Sequence, residues 1–192
     1  MNKKLLTLGM MAGAFMIYKG KEIRSSLSMT GAGWDNLHPT VKQRAKNVIK
    51  KANKEFKKTG LSIGIFEGWR TEARQREVMG SGSSWVKDYR NSYHPWGLAV
   101  DFVFLDQFGQ WTWEPIKDND AAWYEYVTQI FTGDANAQAW DKLGDIIKAE
   151  GFEWGGDWKN RDAPHAQVTE FGTTRDMIAQ YGEPDNLIYN FA

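Results

Sequence analysis

The chain has 192 residues, 42% hydrophobic and 14% aromatic, enough apolar material for one domain with a sizeable core. It contains no cysteine, which excludes disulfides, thiolate catalysis and cysteine-based zinc sites. Its formal charge is zero, but Lys3, Lys4, Lys19, Lys21 and Arg24 stand against Glu22 alone at the N-terminus, leaving 19 basic and 23 acidic residues beyond them; so mildly acidic a domain argues against a nucleic-acid partner.

The first predicted element is a targeting segment. After the basic start MNKK, Leu5 to Tyr18 is uncharged and mostly apolar. At ~1.5 Å per residue it makes a helix of roughly 21 Å, short of the ~30 Å hydrocarbon core, which favours a signal-peptide or signal-anchor core over a robust span. Residues 1–24 are therefore expected to export the protein or tether it to the membrane through residues 5–18, with Ala12-Gly13-Ala14 as a candidate cleavage site and a buried N-terminal helix as the alternative. Residues 30–192 form the expected domain, exported or membrane-tethered and a monomer.

Val41, Ala45, Val48, Ala52 and Phe56 recur at helical spacing and predict a helix over 41–57 ended by Gly60, its lysines forming a solvated face. Residues 61–66 (LSIGIF) read as a strand, and a helix then begins near Thr71, a good N-cap. Residues 80–84 are a Gly/Ser loop, GLAVDFVF (97–104) is the clearest strand, and FGQW (108–111) turns into another extended piece. Helices are expected over 120–131 and 136–150, then a loop at WGGDW (154–158), a short strand at PHAQV (164–168) and a last helix over 173–181. The fold class is α+β: a small antiparallel sheet flanked by helices, with one metal site in a cleft on the sheet. Trp123 and Trp140 are assigned to the core, and His38, before a proline, to the surface or a helix cap.

Alternation along the central strand puts Leu98, Val100, Phe102 and Phe104 on one face and Gly97, Ala99 and Asp101 on the other. The large side chains belong to the core, which leaves open space above Asp101. Fully extended, His94 and Asp101 would be ~23 Å apart, too far to share an ion. A turn starting at His94, with Pro95 second and Gly97 fourth, folds the imidazole back toward the carboxylate. His165 and Gln167 share a face of the later strand and supply the third ligand; Pro164 rules out a helical H-E-x-x-H arrangement.

Two imidazoles and a carboxylate suit Zn²⁺ better than Ca²⁺ or Mg²⁺, and three protein ligands leave a position for water. Asp162, three residues before His165, is the candidate general base for activating that water, and Arg70 a candidate cation for the oxyanion or a substrate carboxylate. Trp96, Trp154 and Trp158 flank the ligands and are expected to wall a peptide or glycan groove.

GWRTEARQ (68–75), SYHPWGLAVDF (92–102) and EGFEWGGDWKNRDAPHAQ (150–167), in that order and preceded by LHPTVKQRAK (37–46), resemble the zinc D-alanyl-D-alanine carboxypeptidase / L-alanyl-D-glutamate endopeptidase family of cell-wall peptidases, especially its phage-endolysin-like branch. The resemblance spans about residues 35–168 and implies one Zn²⁺ per chain on His94, Asp101 and His165, with Asp162 as general base. It further implies Arg70, Gln75 and Ser92 in the substrate cleft, a peptidoglycan stem peptide as substrate, and a phage or bacterial origin. Ala166 and Arg161 depart from the family pattern at positions expected to affect substrate fit. An L-alanyl-D-glutamate endopeptidase is the expected activity; the alternatives are a D,D-carboxypeptidase and a non-catalytic wall module with a structural zinc.

Overall fold

A computed structural model describes residues 32–106, 108–115 and 135–188. The expected targeting segment, the expected helix over 120–131 and Trp123 lie outside these residues. Helix α1 (Pro39–Glu55) starts with a proline in its first turn and is capped by His38, whose Nδ1 accepts from the Thr40 N–H at 3.1 Å. Its stripe Val41, Ala45, Val48, Ile49 and Ala52 is buried, while Lys46, Lys50 and Lys54 point to solvent. A 3₁₀ turn (Phe56–Thr59) and Gly60, at φ 72°, then feed strand β1 (Ser62–Glu67).

Strand β2 (Ala99–Leu105) runs through the middle of an antiparallel sheet. One edge pairs with β1. The other takes β3 (Trp111–Thr112) near its C-terminal end and β5 (His165–Gln167) near its start, and β5 in turn pairs with β4 (Glu153–Trp154). Leu98, Val100, Phe102 and Phe104 pack in one core with the apolar stripe of α1 and with Leu143 and Ile147 of α3 (Ala135–Ala149). Asp101 belongs to the opposite face, as the alternation requires. Helix α2 (Glu72–Gly80) follows β1 with Thr71 as N-cap, and α4 (Thr174–Tyr181) opens on a capping box of Thr173 and Asp176. The short α5 (Pro184–Ile188) is an addition to the expected elements.

WGGDW is not wholly a loop: Trp154 is part of β4, and only Gly155–Asp157 form a 3₁₀ turn. Both Gly144 on α3 and Gly156 abut the Trp154 ring, so a side chain at either would overlap it. The indole is thus buried, and its N–H donates to the Ala163 carbonyl at 2.7 Å. Trp96 is fully buried too, its indole N–H bonded to the Arg90 carbonyl at 2.8 Å. Neither tryptophan walls a groove; each fills space under a loop, which is where a large ring gains most from burial.

Pro95 and Gly97 do bend the chain. The Gly97 N–H donates to the His94 carbonyl at 3.0 Å and the Leu98 N–H to the Tyr93 carbonyl at 3.1 Å, a left-handed closure with Gly97 at φ 68°. A Cβ at Gly97 would lie 2.7 Å from the Asn36 carbonyl oxygen. Gly97→Ala is therefore expected to cost about 1–3 kcal/mol, read as a lower urea midpoint of the metal-free protein; an unchanged midpoint would show that the turn relaxes freely.

Candidate metal centre

Two local devices aim the three candidate ligands. The turn above points His94 at the sheet, and its Nδ1–H donates to the Gly68 carbonyl at 2.6 Å, leaving an Nε2 lone pair directed inward. Register aims the other two: Asp101 and His165 are direct partners across β2 and β5. His165 Nε2–H donates to Gln167 Oε1 at 3.0 Å, so its Nδ1 lone pair also faces inward.

The result is a triangle of acceptors. His94 Nε2 to His165 Nδ1, His165 Nδ1 to Asp101 Oδ1, and His94 Nε2 to Asp101 Oδ1 are each 3.2 Å. Three lone-pair atoms at that spacing, all buried, repel unless something positive lies between them. Corners of a regular tetrahedron 3.2 Å apart lie ~2.0 Å from its centre, the bond length of a small divalent ion to imidazole and carboxylate. Octahedral coordination at that bond length needs edges of ~2.8 Å, and Ca²⁺ needs longer bonds and more oxygens. The donor set therefore fits a tetrahedral ion with its fourth corner open to the cleft.

Electrostatics give an ionised aspartate and set the two imidazoles apart. Burial holds the His94 pKa below the ordinary value. Burial opposes ionisation of Asp101, but His94, His165 and Arg70 outweigh it and keep the carboxyl well below the usual range. At His165 burial opposes protonation, and contact with Asp101 overcomes it and raises the pKa, so this imidazole, unlike that of His94, shares a proton with the carboxylate more readily.

The cleft above the triangle is about 660 Å³ and is lined by Asp162, Arg70, Ser92 and Trp158 among others. Asp162 is half-buried and stands outside the ligand triangle. Burial pushes its carboxyl above the ordinary value, with His165 opposing and Asp101 adding to the shift. Gly155 makes this placement possible: its carbonyl accepts from the Asp162 N–H at 2.9 Å, and a Cβ there would come 2.5 Å from the Asp162 carbonyl oxygen.

Of the other expected cleft residues, Ser92 lies in the lining, its Oγ 3.4 Å from the His94 N–H. Gln75 is fully buried outside the lining; it binds Arg70 at 3.3 Å and Ser84 at 3.2 Å, so it supports the site from behind instead of meeting substrate. Arg70 reaches the cleft, yet its guanidinium is already engaged by Glu67, Gln75 and Asp101. Glu67, missed in the sequence, is thereby part of the site. Ala166 lies in the core on the opposite side of β5 from His165, and Arg161 stacks on Trp154 and pairs with Asp141, so neither departure enters the cleft.

A profile of D-alanyl-D-alanine carboxypeptidases matches residues 86–168, which contain all three triangle residues. The peptidoglycan L-alanyl-D-glutamate endopeptidase CwlK of Bacillus subtilis is 34% identical over 143 residues, covering 69% of this chain and 74% of that protein. The L-alanyl-D-glutamate peptidase of a Listeria phage is 29% identical over 128 residues, 66% of this chain but only 37% of that protein. The crystal structure of the L-Ala D-Glu endopeptidase ChiX of Serratia marcescens shares 31% identity, over 74% of this chain and 85% of that one, at a TM-score of 0.42. With its acceptor triangle, the chain belongs to this D-alanyl-D-alanine carboxypeptidase family of metal-dependent peptidases and is a hydrolase.

Proposed function

We propose that the protein is a zinc-dependent endopeptidase that opens the L-alanyl-D-glutamate bond of peptidoglycan stem peptides. The observation that carries this reading is the triangle of 3.2 Å edges below an open cleft, in a chain similar to peptidases of that name. His94, Asp101 and His165 would hold the ion, whose chemistry is to polarise the amide carbonyl and acidify water. Asp162, raised by burial and outside the triangle, takes the proton from the attacking water and returns it to the departing amine. Arg70, held by Glu67, Gln75 and Asp101, lines the cleft as a fixed cation near which the charge on the carbonyl oxygen develops. Trp158, with its ring 5.2 Å from that of His165, forms one wall for the peptide. Action outside the cytoplasmic membrane is part of the proposal, supported by the basic and apolar start of the sequence.

The test is digestion of purified peptidoglycan with and without a chelator, with the fragments read by mass spectrometry. New N-terminal D-glutamate that disappears with chelator and returns with Zn²⁺ is expected. Release of D-alanine instead would make the chain a carboxypeptidase, the activity that gives the matching profile its name. Cleavage that is indifferent to chelator would remove the metal from the proposal.

A further inference from the structure

We propose that Glu67 is a positioning residue of the metal site, setting the orientation of Asp101 through Arg70. This rests on the reading of the acceptor triangle as a metal site. The starting point is a β-bulge: Ile65 pairs with Phe102, but Glu67, not Phe66, pairs with Asp101. Two residues of β1 thus oppose one of β2, and the extra one turns the strand so that Glu67 lies beside Asp101 on the cleft face.

Glu67 is 5% exposed, and each of its carboxylate oxygens is committed to a different arginine. Oε2 accepts from Arg70 Nε at 2.7 Å and Oε1 from Arg74 Nε at 2.8 Å. Arg70 Nη1 donates to Gln75 Oε1, and its Nη2 to Asp101 Oδ2. A guanidinium is a rigid planar fork, so fixing Nε and Nη1 also fixes Nη2. Nη2 in turn fixes the rotation of the Asp101 carboxylate, whose other oxygen is a corner of the triangle. The adjacent Gly68 carbonyl orients His94. Glu67, Gly68 and Arg70, within four residues of one another, therefore aim two of the three candidate ligands.

Charge points the same way. Glu67 is the anion between two guanidiniums at the edge of a site for a dication. Without it, Arg70 and Arg74 lose their shared partner, and their unbalanced positive charge opposes the incoming ion. Glu67→Gln keeps the shape, removes the charge, and turns an amide N–H toward one arginine.

The expected result is a 10- to 100-fold rise in the Zn²⁺ dissociation constant, of order for a group that orients a ligand, measured by competition with a chromophoric chelator. At limiting Zn²⁺, turnover should fall in parallel; at excess Zn²⁺ it should recover to within a few-fold of the parent, with KM unchanged. Parent-like affinity in the variant would reduce Glu67 to a structural ion pair and overturn the proposal. So would a loss of turnover that excess Zn²⁺ does not restore, because Glu67 would then act through the contact of Arg70 with substrate and not through the metal site. A parent protein that binds no Zn²⁺ would instead defeat the metal site itself. Should Glu67→Gln fail to fold, Arg74→Gln releases one arm of the same clamp, and a several-fold weaker Zn²⁺ affinity is expected; unchanged affinity there would equally overturn the role.

Discussion

Asp162→Asn is expected to lower turnover of peptidoglycan fragments by two to four orders of magnitude while the protein keeps its full metal content. The side chain has nearly the same volume, so the cleft keeps its shape, but an amide cannot accept the proton that a carboxylate takes from water. Retained metal follows from geometry, since Asp162 is outside the group of His94, Asp101 and His165 whose ligand atoms converge. The variant should also unfold no earlier than the parent. Burial already disfavours the charge on this carboxyl, and among the described residues no side chain donates a hydrogen bond to it. Metal analysis, steady-state turnover and thermal unfolding on one preparation check the three statements. Wild-type turnover would strip Asp162 of the proton-transfer role, and loss of metal would make it a ligand.

The parts of the site carried by short-range rules were legible in the sequence. The period-2 pattern of 97–104 separated Asp101 from the large core residues, and the structure keeps that separation. Pro95 and Gly97 announced a turn because one presets φ and the other tolerates the left-handed region; the backbone bends there with Gly97 at φ 68°. His165 and Gln167 were expected on one face, and they are, in a more specific relation than shared direction: Gln167 holds the proton on the far side of the ring that His165 turns toward the site.

What the sequence does not show depends on how neighbouring elements pack and pair, which no periodicity within one element reports. Trp154 and Trp96 were assigned to a groove wall because they flank ligands, yet the slot that buries Trp154 is opened by Gly144, ten residues earlier on another element. Gln75 is expected in the cleft as a polar residue on a helix; in the first turns of α2 its side chain instead turns back to Arg70, five residues earlier, and to Ser84. Glu67 left the weakest trace. A bulge shifts register by one residue and has no composition of its own, so a plain strand over 61–66 placed no carboxylate beside Asp101. A glutamate three residues before an arginine, across a glycine and next to the end of an apolar strand, is the signal that the sequence offers.

Asp101→Asn should abolish the thermal stabilisation that Zn²⁺ is expected to give the parent. A ligand that binds only the folded state adds RT ln(1 + [L]/Kd), about 2.7 kcal/mol at 100-fold excess over Kd, which in a domain of this size is roughly 5–10 °C in Tm. The substitution removes the one negative charge among the three ligands and turns either a poorer oxygen donor or an N–H toward the ion. Its loss should exceed the 10- to 100-fold expected for an outer residue such as Glu67, so at the same Zn²⁺ concentration the Tm of the variant should barely move. The fold itself should survive: the amide oxygen can still accept from Arg70 Nη2, and the amide N–H groups then face the lone pairs of His94 Nε2 and His165 Nδ1, which want donors when no ion is bound. In chelator, parent and variant are therefore expected to melt within a few degrees of each other, and on adding Zn²⁺ only the parent should rise. An equal Zn²⁺-dependent rise in both would mean that the ion binds somewhere other than between these three side chains.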